Sequence, residues 1–383
     1  VSDAILIAAQ SGRALAAAAR RAGLRPYVAD LFGDEDTREL AAGYRRIAGR
    51  LGRGPGAEGV VRALEALAAE AGRPLGLVLG SGFEGAPALM ARLAARHRLL
   101  GASPAAVAAL KDPAGLAALC ARLRIPHPDI ALAPVADPAG WLAKRRGGSG
   151  GGHVRPAAAG PLAPGTYLQR RRPGVPRSLN VLADGRGIAV LAVTEQWAAP
   201  APGHPFRYAG AAAPGALPAA VRDAAERAVA DLVAATGLAG LASADLLVDG
   251  TEWWLLEVNP RPGATLDVLD RGPRPLLARH IEAAAGRLTA GGAPPPGAAA
   301  TEICYAEATL EAVPPLDWPD AVMDRPRAGS RIAAGSPICT VRASGPDAAA
   351  ARRGLRAHAA AVRALLAAPT PPLPAGTGPA LRP

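Results

Sequence analysis

The sequence predicts a mixed α/β and α+β architecture: a parallel-sheet domain preceding a two-lobed core, then a C-terminal β-rich extension. Three observations predict it. Apolar runs of strand length alternate with helical patterns over residues 4–97. From Asp112 onward hairpins and turns replace that alternation. A run of Ala, Gly and Pro at 290–299 then sets off a strand-rich stretch at 301–345. With 383 residues, half of them hydrophobic, the chain can bury cores in most of its length. It exceeds the ~150-residue size of one domain, so two or three are expected.

Residues 4–9 are apolar without interruption, as a strand buried on both faces must be. Ser11 is placed to cap the helix that follows, and Gly23 to end it. Residues 25–30 read as a second strand, 57–71 as a helix, Leu75 to Leu79 as a third strand and 85–97 as another helix. Ligands of open α/β sheets bind at the carboxyl ends of strands. The loops Gln10 to Arg13, Asp30 to Asp34 and Ser81 to Glu84 are therefore a candidate substrate wall, with Ser11, Arg13, Ser81 and Glu84 as polar contacts. Asp112-Pro113 is a cap followed by proline at the first helical position, opening a helix to about Leu123. Asp184-Gly185, between apolar segments 179–182 and 189–194, signals a hairpin. Val221, Ala225, Ala228, Leu232 and Ala235 share one face of a helix from about Pro218 to Thr236, ended by Gly237. A second hairpin turns near Asp249-Gly250, and a last helix spans 347–367 before a Pro-rich tail that need not be ordered.

The formal net charge is +11, yet only Lys111 and Lys144 are lysines; every other basic residue of this class is arginine. No basic strand studded with aromatics accompanies the charge, so anionic small molecules are expected as partners rather than nucleic acid. Cys120, Cys304 and Cys339 are odd in number and widely spaced, with no C-x-x-C. A reducing compartment is expected, without a disulfide framework or zinc ribbon. No basic segment precedes the first apolar run, and none of ~18 residues is continuously apolar. A soluble, cytoplasmic protein with no membrane partner is the expectation.

The chemistry is densest at Glu257-Val258-Asn259-Pro260-Arg261. Alternate residues of a strand share a face, which puts the Glu257 and Asn259 oxygens about 7 Å apart on one side. Trp254, Leu256 and Val258 would then face the core. Asp245 is on the partner strand, and an odd-length loop centred on Thr251 would set it opposite Glu257, with Cβ atoms ~5 Å apart. Two facing carboxylates and an amide oxygen suit a hard divalent cation, Mg²⁺ held together with phosphate oxygens and waters. Without a cation one carboxylate would shift its pKa upward.

A second cluster is Lys144 followed by Gly147-Gly148-Ser149-Gly150-Gly151-Gly152. Glycines let backbone N–H groups close on phosphate. The run matches neither a P-loop nor a dinucleotide fingerprint. Lysine is scarce here, and an ammonium enters phosphate sites too narrow for a guanidinium. Lys111 and Lys144 are therefore read together as phosphate ligands. His153 reads as a loop residue rather than a catalyst.

Together the lysine pair, the glycine loop and the acid–acid–Asn–Arg array resemble the ATP-grasp superfamily in its biotin-carboxylase-like branch, over about residues 1–345. The resemblance implies ATP and Mg²⁺, or Mn²⁺, as cofactors. Lys111 and Lys144 would hold ATP phosphates, with Gly148, Ser149, Gly150 and Gly151 over them. Asp245, Glu257 and Asn259 would hold the metal, while Arg261, with Lys144, would act at the transferring phosphoryl group. The adenine hinge falls at Tyr167 to Arg171, with Gln169 and Arg170 as contacts and no acid at the strand end. It also implies a preceding domain at 1–102, a core at 103–289 with lobes at about 103–172 and 173–289, a linker at 290–300, a β-rich piece at 301–368 and a tail at 369–383. Leu31 to Asp34, Gly80 to Glu84, Glu257 to Asp267, Trp318-Pro319 and Asp324-Arg325-Pro326 look like a group of predicted ATP-dependent carboligases of pterin- and furan-linked one-carbon metabolism in methylotrophs.

These features imply an ATP-dependent carboxylate–amine ligase working through an acyl phosphate on small-molecule substrates, with a homodimer as the assembly considered. The glycine loop would close over ATP. The alternatives are a carboxylase acting through carboxyphosphate, a non-catalytic ATP-binding module and, third, a basic nucleic-acid-binding protein. No biotin-attachment lysine is present, since both lysines are assigned elsewhere.

Overall fold

The computed structural model describes residues 3–289 and 295–367. The expected Pro-rich tail at 369–383 lies outside the described residues, as do residues 290–294 of the linker. Among the described residues no helix is long and apolar enough to cross a membrane.

The first part comprises β1 (Ala4–Ala8), α1 (Arg13–Arg21), β2 (Arg25–Asp30), α2 (Glu35–Leu40), β3 (Gly43–Arg46), β4 (Gly49–Arg50), β5 (Gly54–Pro55), α3 (Ala57–Ala71), β6 (Leu77–Leu79) and α4 (Pro87–Ala94). Four strands form a parallel sheet in the order β3-β2-β1-β6. The all-apolar β1 is its fully buried centre. The sequence reading misses β3 because Gly43-Tyr44-Arg45-Arg46 is a polar edge strand without an apolar run. Ser11 does not cap α1. Gly12 takes that place with no side-chain bond, and the Ser11 hydroxyl turns to Asp324 instead. The third strand and the helix after it are shorter than expected, the latter starting where Pro87 presets the helical φ.

The second part begins with α5 (Pro104–Lys111) and α6 (Pro113–Leu123). The Asp112 carboxylate accepts from the Gly115 N–H at 2.8 Å, so one residue ends the first helix and caps the second. It leaves Lys111 at a helix C-terminus, where the backbone dipole favours a cation. Strands β7 (Ile130–Ala131), β8 (Trp141–Arg145), β9 (Arg155–Pro156) and β10 (Thr166–Arg170) form an antiparallel sheet in the order β7-β10-β8-β9.

The rest is organised by one eight-stranded sheet, β15-β14-β11-β12-β13-β16-β18-β17. Its members are β11 (Val175–Asp184), β12 (Ile188–Ala198), β13 (Tyr208–Ala213), β14 (Ala239–Asp249), β15 (Glu252–Asn259), β16 (Ala298–Tyr305), β17 (Val322–Met323) and β18 (Pro337–Gly345). Its helices are α7 (Ala219–Thr236), α8 (Leu266–Leu269), α9 (Leu276–Ala284) and α10 (Ala348–Ala367). On α7 the buried face adds Val229 and Val233 to the expected set, while Ala235 is exposed. The C-terminal strands have no sheet of their own: Gly210 to Ala213 of β13 pair with Ala299 to Glu302 of β16. The expected linker therefore ends in a strand that starts at Ala298. Cys304 and Cys339, far apart in sequence, are cross-strand partners with free, buried thiols.

One core runs from Leu6, Leu64 and Leu77 of the first part through Val107 and Leu116 to Leu179, Leu232 and Leu255. His280 pins the same junction. Its Nδ1 accepts from the Leu241 N–H at 2.8 Å, so Nε2 carries the proton and donates to the Leu100 carbonyl at 2.6 Å. Burial holds this imidazole down to about 4.

Candidate active site

Asp245 and Glu257 are direct partners across β14 and β15, as expected, but by another route. Asp249 pairs with Glu252, so the turn holds only Gly250 and Thr251, an even-length connection. That register would carry Asp245 past Glu257. A β-bulge between Leu255 and Glu257, with Leu256 as the extra residue, restores the pairing. The bulge also reverses the faces. Trp253 and Leu255 are buried before it and Val258 after it, whereas Trp254 and Leu256 do not face the core as expected. Leu256 instead lines the cavity beside Glu257.

The side chains at this hairpin form a chain of contacts. The Lys111 Nζ donates to Glu257 Oε2 at 3.3 Å and to Asn259 Oδ1 at 3.0 Å. Asn259 Nδ2 donates to Asp245 Oδ2 at 3.0 Å, and Gln196 Nε2 to Asp245 Oδ1 at 3.4 Å. Burial, and then the charge on Glu257, push Asp245 up. Burial opposes ionisation of Glu257 too, but the Lys111 and Lys144 ammonium groups outweigh it and hold its carboxyl below the usual range. Lys144 is only 7% exposed, and its Nζ donates to Gln169 Oε1 at 3.0 Å. Gln169 Nε2 in turn donates to the carbonyl of the bulge residue Leu256 at 3.3 Å.

Lys111, Glu257, Gln169, Gly147, Gly148 and His153 line a cavity whose apolar wall includes Leu116, Ile130 and Tyr167. Its empty space, open mouth included, is ≈ 410 Å³. Arg170 is not part of it. One residue on from Gln169, it points to the opposite face of β10, donates to the Ala139 carbonyl at 3.0 Å and lies over Trp141. Arg145 lines the cavity instead. His127, Leu116 and Ile130 escape the sequence reading, because single apolar or imidazole residues around a hinge carry no spacing signal.

The glycine loop is docked. Gly147 (φ +63°) packs on the Gly85 backbone and Gly151 (φ +69°) on the Phe206 carbonyl, and a Cβ at either would collide. The Gly150 carbonyl accepts from the Tyr208 N–H at 2.9 Å, and Ser149 Oγ accepts from Gln10 Nε2 at 3.4 Å.

Of the expected substrate residues, Glu84 reaches the site. It accepts from Arg261 Nε at 2.6 Å and from the Gly82 N–H at 2.6 Å. Burial works against its charge, but Arg261 and Lys111 keep its carboxyl low. Ser81 contributes its carbonyl to the Gln10 N–H. Ser11 and Arg13 are not brought to Glu257; both are tied to Asp324.

The donor set fits a hard cation bound with phosphate. It holds two carboxylates and an amide oxygen, with Asn259 Oδ1 and Glu257 sharing one ammonium that can move aside. Among the described residues no group of three or more His, Cys, Asp or Glu could hold a metal by itself, so further oxygens must come from a ligand or water. His153 Nδ1, buried in the same cavity, has no hydrogen-bond partner, which also marks a place for a polar ligand.

Residues 117–265 match the family model of the ATP-grasp domain. The chain contains an ATP-grasp domain. The matched stretch runs from within α6 past Arg261, so it includes the Asp245–Glu257 hairpin and the glycine loop. A comparison with curated proteins finds no match. Among solved structures, the biotin carboxylase domain dimer of Hydrogenobacter thermophilus 2-oxoglutarate carboxylase, in complex with MgADP, ADP and bicarbonate, superposes with a TM-score of 0.70 at 14% identity, covering 93% of this chain and 89% of that one. Biotin carboxylase of Campylobacter jejuni in a β,γ-ATP complex gives 0.65 at 15% identity, covering 90% and 88%. These likenesses show a shared fold over nearly the whole of this chain.

Proposed function

We propose that the chain is an ATP- and Mg²⁺-dependent ligase that joins a small-molecule carboxylate to an amine through an acyl phosphate. The observation that carries this reading is the facing pair Asp245 and Glu257 with Asn259 beside them and Lys111 seated on the last two. Asp245, Glu257 and Asn259 would hold Mg²⁺, which when bound supplies positive charge to phosphate oxygens. Lys111 would leave its acidic partners for phosphate as the cation enters, and Lys144 would keep its ammonium aimed by Gln169. The loop from Gly148 to Gly151 offers backbone amides to phosphate and excludes water. Leu116, Ile130, Tyr167 and Leu256 offer an apolar wall for a base. Arg261 would stand at the developing charge, aimed by Glu84.

In this reading the γ-phosphoryl group leaves the ADP oxygen and bonds to a carboxylate oxygen. The amine nitrogen then bonds to the acyl carbon, the carbon–oxygen bond to phosphate breaks, phosphate departs and the nitrogen loses a proton. A homodimer and a place in one-carbon coenzyme metabolism belong to the same proposal. The likeness to biotin carboxylase folds favours one other reading, carboxylation through carboxyphosphate. The experiment is ADP release from Mg·ATP over a panel of carboxylates, each with amines or with hydroxylamine, and separately with bicarbonate alone. Carboxylate-dependent release with a trapped hydroxamate supports the ligase; release with bicarbonate and no other carboxylate replaces it with the carboxylase.

A further inference from the structure

Asp245 belongs to a polar sheet face that runs well beyond the hairpin. Directly paired residues of neighbouring strands point to the same side, so the register carries Asp245 of β14 to Ser178 of β11 and on to Thr194 of β12. Gln196 follows Thr194 by two positions, shares that side and reaches Asp245 Oδ1 at 3.4 Å. On the next strand, β13, Ala211 is paired with Gln196. Unbroken alternation would turn Tyr208 to the opposite side from Ala211. It does not, because the register shifts: Gly210 pairs with Trp197 and Tyr208 with Ala198, leaving Ala209 as an extra residue. The irregularity returns Tyr208 to the side of Asp245, much as the bulge at Leu256 does for Glu257.

The main chain of Tyr208 is pinned from both sides. Its N–H donates to the Gly150 carbonyl of the glycine loop at 2.9 Å, and its carbonyl accepts from the Tyr305 hydroxyl at 2.7 Å. Its own hydroxyl oxygen is buried and has no hydrogen-bond partner. A buried phenol ordinarily finds one, because the water it loses must be replaced. Other polar groups of the face are paired: Asn180 Nδ2 donates to Thr194 Oγ1 at 3.2 Å, and Asn180 Oδ1 accepts from Thr265 Oγ1 at 2.8 Å. Burial pushes the Tyr208 phenol up, and Asp245, Tyr305 and Asp267 add to the rise against Arg261. The group keeps its proton and is a donor lacking an acceptor.

The segment from Arg261 to Leu269 crosses the same face. Thr265 bonds Asn180 there, and Val268 of α8 packs with Ala213 of β13. Arg261 at the start of that segment, Asp245 on the sheet and Tyr208 beside the glycine loop thus border one stretch of surface. An oxyanion suits it, since Arg261 brings charge and Tyr208 a neutral donor. Phosphate oxygens already have Lys111, Lys144 and the loop amides in the reading above, whereas the substrate carboxylate has no neutral donor assigned to it. We propose that the Tyr208 hydroxyl donates a hydrogen bond to the substrate carboxylate and holds it for attack on the γ-phosphoryl group. This rests on the ligase reading and assigns the seat of its first substrate to the β13 end of the sheet face.

The test is thermal unfolding of the full chain with Mg·ADP present, titrated with sodium acetate, succinate, benzoate and L-glutamate against sodium chloride of equal ionic strength. Saturable stabilisation by at least one carboxylate is expected, and Tyr208→Phe should raise its half-saturating concentration by roughly tenfold or more. Two further readouts separate a substrate contact from a structural one. Without any ligand Tyr208→Phe should melt at or above the wild-type temperature, because it loses only an unpaired hydroxyl. Its affinity for Mg·ATP alone should equal that of the wild type. No stabilisation by any of the four carboxylates, an unchanged half-saturating concentration, or a lowered melting temperature without ligand overturns the proposal. Weakened Mg·ATP binding overturns it too, and gives the hydroxyl to the γ-phosphate instead. The hydroxylamine-trapping assay stands apart: a carboxylate response lost in Tyr208→Phe, with no ADP release for any carboxylate, would keep the contact and sink the ligase.

Discussion

The two charged regions of this molecule are built on opposite principles. At the β14–β15 hairpin, acids and bases interleave: Lys111 lies on Glu257 and Asn259, and Asn259 on Asp245. At the ends of β1 and β2, Asp267 and Asp324 bracket Arg13, backbone N–H groups hold Asp30 and Asp36, and Asp34 makes no side-chain cap bond. The first region carries its own counter-charge and can exchange it for a ligand's. The second settles its charge by keeping a proton, with burial and the charges of Asp324 and Asp30 pushing Asp34 up. A site that must bind phosphate and metal together needs both signs of charge present; an acid-rich junction can instead hold one carboxyl neutral.

That contrast can be broken by substitution. The largest effect is expected at the hairpin. Glu257→Gln should cut ADP release by about 10²-fold or more while leaving the circular dichroism and melting temperature near wild type, because Lys111 retains Asn259. Wild-type turnover in that variant would remove Glu257 from the metal set. Next is insertion of an alanine between Glu257 and Val258. The extra residue shifts the phase of the strand beyond Glu257, Asn259 turns toward the core, and stabilisation by Mg·ATP in a thermal scan should vanish. A smaller loss is expected from Lys144→Ala, which removes a charged hydrogen bond worth about 1.5–3 kcal/mol; titration should show ATP affinity weakened roughly tenfold.

The subtlest test compares the regions through pH. Burial, and then the charges of Asp324 and Asp30, push Asp34 up to about 9. A carboxyl raised in the folded state contributes stability below its unfolded pKa near 4, and that contribution is lost as pH rises toward 9. Urea unfolding between pH 5 and 9 should show wild-type stability declining. Asp34→Asn should flatten the slope and be the more stable protein at pH 9. His280 runs the other way: held down to about 4 by burial, its contribution is present above pH ~6.5 and lost on acidification. A wild-type slope unchanged by Asp34→Asn would mean that Asp34 is not the strained group.

The hairpin was legible because its functional residues are contiguous and because rare residue types stand out. Two lysines and two asparagines in the whole chain leave few candidates for phosphate and metal. The parallel strands were legible too, since burial on both faces demands unbroken apolar runs such as Ala4–Ala8. The bulge was not, because one extra residue changes phase without changing composition: the Asp245–Glu257 pairing was expected from an odd loop, and Trp254 was assigned to the wrong side. Arg170 was misplaced for a related reason, as a strand neighbour of Gln169 that must point away. The acid-rich junction was the least legible. Its members come from residues 13, 30–36, 267 and 324, and only tertiary packing brings them together.

The ladder between β13 and β16 makes the far end of the chain inseparable from the middle. A cut placed between α9 and β16 would uncover the backbone of Gly210 to Ala213 as a raw sheet edge, prone to stick to other chains. It would also take Asp324 away from Arg13. Fragments produced separately from the two sides of that cut should instead seek each other, and a reporter divided at this point would register their reunion.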